Sequence, residues 1–207
     1  MPPNALRQPA HLMTALLTIL CGLCCVGQLF AERYLTVAEA QKLSFPQAER
    51  FEERRLTYQA DERKAIELRA GSKLIIPMNR CWLAMQGTNL LGVVVVDHVL
   101  GKHEIIDYAV AIAPEGKLAR LEVLEYRESY GYEISSPKWR EQFKGKDAAA
   151  KLRLNEDIYN ISGATISCRH VTDGVKRLLA AYELVLRPQL VSGGLVPWKK
   201  PSPPAKP

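Results

Sequence analysis

The segment Tyr159–His170, YNISGATISCRH, gathers small and hydroxyl-bearing side chains just ahead of the most regular amphipathic pattern in the chain. It holds Asn160, Ser162, Thr165 and Ser167 together with Gly163 and Ala164, and no acid. Two chemistries suit such a turn. A Ser or Thr hydroxyl can cap the following helix by accepting from one of its free backbone N–H groups. The same N–H groups, with the positive end of the helix dipole, can instead hold a phosphate, and small residues let that ligand approach the backbone closely. The pattern places the helix start near Ser167, with the Thr165 hydroxyl in reach of the same spot. From the residues alone, both readings stand.

Other reactive patterns are missing. His98, His103 and His170 fit no zinc spacing such as H-E-x-x-H, and His103 beside Glu104 reads as a turn residue between strands, so no metal site is expected. No C-x-x-C-H marks a c-type haem, and Ser162 does not sit in a G-x-S-x-G elbow. There is neither a Walker loop nor a dinucleotide fingerprint.

The elements that must position the turn can be read from periodicity. Val171, Val175, Leu178, Leu179, Tyr182 and Leu186 recur at helical spacing, and Pro188 is expected to end that helix. Upstream, residues 80–128 read as strands. CWLAMQ and LLGVVVVDHVL flank a three-residue GTN hairpin, and Ile106, Tyr108, Val110 and Ile112 alternate along one face. The turn Pro114-Glu115-Gly116 then leads into KLARLEVLEYRE. A short helix is expected after Pro137, stopping at Gly145, and further helical turns in DAAAKLRL. Nearer the start, Thr36 and Glu39 form a capping-box pattern for a helix over 37–43. A strand over 56–59 and a helix over 61–70 ended by Gly71 follow. Consecutive strands with short turns predict an α+β fold: one domain, a curved antiparallel sheet packed with helices on one side.

The 207-residue chain has 47% hydrophobic and 24% charged residues, a globular composition. Its net charge of +6 is concentrated at the ends. Residues 1–31 hold Arg7 and no acid, and residues 187–207 hold Arg187, Lys199, Lys200 and Lys206 and no acid. The middle is nearly neutral and lacks the basic patch of a nucleic-acid binder. Arg7, the apolar run LMTALLTILCGLCCV and an ending at Ala31 follow the order of a secretory signal, with an uncleaved membrane anchor as the alternative. The organisation expected is therefore a leader or anchor over 1–31, a helical extension over 32–79, the main domain over 80–186 and a flexible Pro/Lys-rich tail over 187–207. Cys21, Cys24 and Cys25 fall in the leader. Cys81 and Cys168 remain, either paired or as separate buried thiols.

SGATIS followed by an amphipathic helix resembles the flavinylation motif of the FMN-binding domain family. That family includes the flavin-carrying small subunits of the sodium-pumping NADH:quinone reductase and of the Rnf electron-transport complexes. The order GKHEIIDYAVAI, LEVLEYRESYGYEI, WREQFKGK, ISGATIS is similar to that of exported single-domain members over residues 85–185. In those proteins a separate flavin transferase takes FMN from FAD and esterifies its phosphate to the threonine of the S-G-A-T turn. The resemblance implies Thr165 as the acceptor, with Ser162, Gly163 and Ala164 presenting it and Ser167 supplying a hydroxyl position just after it. It also implies that Glu128, Gly131 and Tyr132 belong to a loop facing the flavin. Tyr130, Tyr132 and Trp139 are candidates to stack on the ring. Two positions depart from the family: Tyr159 stands where an aspartate is frequent, and Ser129-Tyr130-Gly131 replaces a Thr-Pro-Gly run.

What the resemblance implies is an exported electron carrier with covalent FMN, periplasmic or membrane-anchored facing the periplasm of a bacterium. Its partners would be the flavin transferase and a membrane redox partner, and it would not itself be an enzyme. The alternative is a secreted binding or structural module of the same fold without covalent flavin.

Overall fold

The computed structural model describes residues 32–198. The leader over 1–31 and residues 199–207 of the tail lie outside the described residues, and so does the signal or anchor expectation. Among the described residues, no helix is long and apolar enough to cross a membrane.

The chain runs β1 (Glu32–Arg33), α1 (Val37–Ser44), β2 (Arg50–Thr57) and α2 (Ala60–Ala70), then β3 (Met78–Gln86), β4 (Asn89–Leu100), β5 (Ile105–Ile112) and β6 (Leu118–Tyr126). After β6 come α3 (Pro137–Arg140), flanked by single 3-10 turns, and the long helix α4 (Thr165–Ala181). A π-helical turn, Tyr182–Leu186, joins α4 to α5 (Arg187–Ser192). The strands form one six-stranded antiparallel sheet in the order β1-β6-β5-β4-β3-β2. The α+β reading with an antiparallel sheet therefore holds. Strands β2 to β6 form a meander, while β1 sits on the far edge. Between β1 and β2 the chain crosses the sheet, and α1 packs on β4, β5 and β6 as it does so.

That crossing corrects the expectation of helices on one side only. One face carries α4, α2 and the larger core; the other carries α1 over Val94, Ala109, Ala111 and Leu124. Small residues on this second face leave room for the crossing segment. A Cβ on Gly92 would fall 2.2 Å from the Phe45 ring. With both faces covered, β5 is buried almost throughout. Its inward row, Ile106, Tyr108, Val110 and Ile112, is fully buried under α4, as the alternation predicts.

Several local expectations are met. Thr36 and Glu39 form the capping box of α1: Thr36 Oγ1 accepts from the Glu39 amide at 3.2 Å, and Glu39 Oε2 accepts from the Thr36 amide at 2.7 Å. Gly71 ends α2. Others differ, with identifiable causes. Strand β2 begins at Arg50 rather than near Leu56, because it pairs residue for residue with β3 from Arg50↔Met85 onward. The β3–β4 hairpin turns on two residues, Gly87 and Thr88, since Gln86 pairs with Asn89. DAAAKLRL is not helical. Asp147 Oδ1 accepts from the Ala149 amide at 2.9 Å, and Asp157 accepts from the amides of Leu152 and Arg153 at 3.1 and 2.8 Å. Short acidic side chains here take N–H groups that a helix would need.

Pro188 does not end the last helix. It sits in the first turn of α5, where a missing N–H is tolerated, and the π-helical turn before it absorbs the change of pitch. The segment from 187, expected as flexible tail, starts with this helix, and Leu190 and Val196 are buried in the main core.

Helix α4 is fixed against the sheet by a close approach at Gly174. A Cβ there would lie 1.9 Å from the Tyr108 hydroxyl oxygen. That hydroxyl donates to Asp97 Oδ2 at 2.6 Å, and Asn79 links Asp97 Oδ1 (3.3 Å) to the Tyr58 hydroxyl (2.6 Å). A satisfied buried polar network of this kind has one good geometry. It sets the depth of α4, and hence the place of its N-terminus.

Candidate functional site

The site is built where the start of α4 meets two loops. The turn before α4 closes with the Ala164 amide donating to the Ile161 carbonyl at 3.0 Å. Gly163 supplies the left-handed residue it needs, at φ +84°. Helix α4 begins at Thr165, two residues earlier than the pattern suggested, because Ala164 takes the N-cap position and its carbonyl accepts from the Cys168 amide at 2.9 Å. Among the described residues, no side chain caps this helix. The simple capping reading of the Ser and Thr hydroxyls is thereby overturned. The first N–H groups of a helix have no intrahelical partner, so those of Thr165, Ile166 and Ser167 are open to an anion.

Ala164 is buried against Gly131 of the loop after β6. Gly131 has φ +86°, and a Cβ there would come within 2.4 Å of the Ala164 Cβ and 2.8 Å of the Tyr126 hydroxyl oxygen. The Tyr126 hydroxyl donates to the Tyr130 carbonyl and lies 3.5 Å from Ser167 Oγ. Ser167 is itself buried, so its hydroxyl faces Tyr126 more than solvent.

Glu128 is committed to the loop after β4. Its Oε1 accepts from the amides of His103 at 2.6 Å and Glu104 at 3.0 Å. Gly101 makes room, since a Cβ there would sit 2.5 Å from the same oxygen. Burial works to raise this carboxyl, but hydrogen bonds from the Glu104, His103 and Lys102 amides outweigh it and hold it below the usual carboxylate range. Glu128 is thus a strut between two walls of the site.

These pieces enclose a cavity of about 550 Å³. Ser162, Gly163, Ala164, Thr165 and Ser167 line it together with Glu128, Gly131 and Tyr132, so the structure brings the turn and the loop after β6 to one cavity. Tyr130 and Tyr132 stand on its rim, 81% and 61% exposed. Lys102 adds positive charge to its wall, and His103 lines it beside Lys102. Trp139 is elsewhere. It is buried edge-on against Phe143, with ring centroids 5.0 Å apart, and its indole N–H donates to the Tyr159 carbonyl at 2.9 Å. It holds the approach to the motif and is not free to stack on a ligand.

The acids near the motif are also spoken for. Asp157 is pulled up by burial and, more strongly overall, down by the Arg153 amide and Lys146, whose Nζ lies 2.9 Å away. Glu156 pairs with Lys151 and Arg153. Tyr159 projects its side chain into solvent, 83% exposed. Among the described residues, Cys81 and Cys168 are separate, unpaired and buried. Burial pushes the Cys81 thiol up to about 12 and raises that of Cys168. Among the described residues, no cluster of His, Cys, Asp or Glu could hold a metal.

The cavity has the size and character of a cofactor site: one end offers open helix N–H groups and a hydroxyl, the other exposed aromatic faces. That division suits a ligand with a phosphate at one end and a planar ring at the other. Residues 101–180 match the FMN-binding domain family. The matched stretch opens at the loop braced by Glu128 and ends in α4, so it contains every residue that lines the cavity. Over 103 residues the chain is 32% identical to a component of the proton-translocating ferredoxin:NAD(+) oxidoreductase complex of Clostridium ljungdahlii, covering 46% of this chain and 56% of the relative. The chain thus spans little more than half the length of that curated relative. A solved structure, NqrC of Shewanella oneidensis, aligns at TM-score 0.45 and 17% identity over 78% of this chain and 89% of its own, too slight a likeness to argue from.

Two features escaped the sequence reading. Lys102 and His103 reach the site only through the strut at Glu128, a contact between residues about 25 positions apart. Asn160 reads in the sequence as one more small polar residue, yet its Nδ2 donates to Thr165 Oγ1 at 2.9 Å. The short spacing of Asn160 and Thr165 around a turn was the signal available.

Proposed function

We propose that this protein is an exported electron carrier that holds FMN as a phosphoester on Thr165, installed by a separate flavin transferase. It exchanges electrons with a membrane redox partner from a position in the periplasm or anchored to its membrane face. The observation that carries the reading is the uncapped mouth of α4. A buried N-cap alanine, open N–H groups and an exposed Thr165 hydroxyl adjoin a cavity large enough for the rest of FMN. The family match over residues 101–180 supports FMN as the ligand, and the relative's place in an oxidoreductase complex supports a role as a carrier within such a complex.

In this reading Ser162, Gly163 and Ala164 present Thr165, and the amides at the start of α4 receive the phosphate. Tyr132 and Tyr130 flank the ring, while Glu128 and Gly131 hold the walls in place. FMN supplies the redox chemistry, and the protein supplies binding, orientation and charge. A covalent tether suits a compartment in which lost FMN is not replenished, because rebinding becomes intramolecular at an effective concentration of order ~mM. The test is in-gel flavin fluorescence after denaturation, with the protein exported from cells that express a flavin transferase. The wild type is expected to fluoresce and Thr165→Val to be dark. A dark wild type from such cells would favour the module without covalent flavin.

A further inference from the structure

The hydroxyl of Thr165 is held as well as exposed. Asn160 Nδ2 donates to Thr165 Oγ1 at 2.9 Å, across the turn closed by Ile161 and Ala164. Asn160 is in turn anchored through its neighbour. The Tyr159 amide donates to Gln142 Oε1 at 2.6 Å, and the Tyr159 carbonyl accepts from the buried Trp139 indole at 2.9 Å. The second polar atom of the Asn160 carboxamide, Oδ1, is buried with no partner among the described residues. An unsatisfied buried acceptor disfavours the fold, so a carboxamide kept there calls for a compensating role of its donor.

We propose that Asn160 is the positioning residue for flavin transfer to Thr165, a role that rests on the function proposed above. In that transfer a lone pair of Thr165 Oγ1 attacks the flavin-side phosphorus of FAD. The Oγ1–P bond forms, the P–O bond to AMP breaks, and AMP leaves with that electron pair. The hydroxyl proton passes to the transferase or to water, and no electrons are gained or lost. A threonine at the first position of a helix has staggered χ1 choices, and only some present Oγ1 to the cavity. The Nδ2–H occupies one Oγ1 lone pair and fixes the rotamer, leaving the other free for attack. Once Oγ1 is an ester oxygen it has lost its hydrogen but can still accept from Nδ2. The same hydrogen bond therefore serves acceptor and product. A carboxylate at this position could serve only the free hydroxyl.

The test uses the unmodified exported chain with purified flavin transferase and FAD, following intact mass over time. Asn160→Ala removes the side chain, and the near-isosteric Asn160→Asp exchanges the donor for a carboxylate that can still hold the free hydroxyl. Asn160→Ala is expected to lower kcat for transfer about five- to tenfold, the effect of one hydrogen bond, with KM for the protein unchanged. In the unmodified protein, NMR couplings about Thr165 χ1 are expected to change from those of one rotamer to an average in Asn160→Ala and to remain those of one rotamer in Asn160→Asp. Transfer to Asn160→Ala at the wild-type kcat, or unaltered couplings in that variant, overturns the role. Failure of the underlying flavin reading is distinguishable, because the wild type would then itself remain unmodified while the couplings still respond to Asn160.

Discussion

Gly131 and Gly163 share a left-handed backbone, φ +86° and +84°, but not their surroundings. A Cβ at Gly163 meets nothing within 4 Å, whereas one at Gly131 would stand 2.4 Å from the Ala164 Cβ, 3.3 Å from its Cα and 2.8 Å from the Tyr126 hydroxyl oxygen. Gly163→Ala therefore carries only the strain of a side chain in the left-handed region, about 1–2 kcal/mol. Gly131→Ala carries that strain plus an overpacking penalty of about 1–3 kcal/mol. Relief is poor, because the nearest obstacle is a Cβ fixed to the buried backbone at the N-cap of α4. The expected difference between the two variants is thus about 1–3 kcal/mol. With a urea dependence of about 1–3 kcal/mol per molar, it appears as a midpoint lower by roughly 1 M for Gly131→Ala. Urea unfolding of both variants, followed by tryptophan fluorescence at one pH, measures it. Equal midpoints would refute the claim that the loop after β6 rests directly on the helix mouth.

Gly174→Ala is expected to destabilise the fold by about 1–3 kcal/mol in the same assay, as its Cβ meets the Tyr108 hydroxyl. Tyr108→Phe in that background should recover part of the loss, giving a favourable coupling in a double-mutant cycle. Glu128, whose carboxyl lies below its ordinary value of 4.5 when folded, contributes stability that is present above that value. The contribution is lost as pH falls through the lower, folded value, so as pH falls below 4.5 wild-type stability should drop more than that of Glu128→Gln. Amide exchange at His103 and Glu104 should be faster in the variant. Cys81 and Cys168, both buried with raised thiols, should resist alkylation in the native protein and react fully in denaturant, as read by mass.

Much of the sheet is legible because its signals are local. The alternation in β5 and the Pro114–Gly116 turn need no distant partner to be read. The second face was not legible. The alanines and Gly92 that admit α1 and Phe45 read as weak strand residues until the crossing between β1 and β2 is known. DAAAKLRL has helical composition, yet the Asp147 and Asp157 side chains claim its backbone, and the second of these acts from beyond the segment. Likewise Pro188 breaks a regular α-helix but not one that widens into a π turn first.

In the site, SGAT stood out through residue type and place, and the residues named with it do line one cavity. The function of Glu128 as a strut did not stand out, because its partners are the amides of a loop far along the chain. Trp139 reads as a ring for stacking by composition alone. Its indole N–H and its packing on Phe143 assign it to the support of Tyr159 instead.

The central claim, FMN esterified to Thr165, is tested most directly by intact mass with peptide mapping of the protein exported from cells that supply a flavin transferase. The account predicts a mass increase of one FMN less one water, carried by the peptide containing Thr165 and absent in Thr165→Val. An unmodified wild-type protein, or the same increase retained in Thr165→Val, would contradict it.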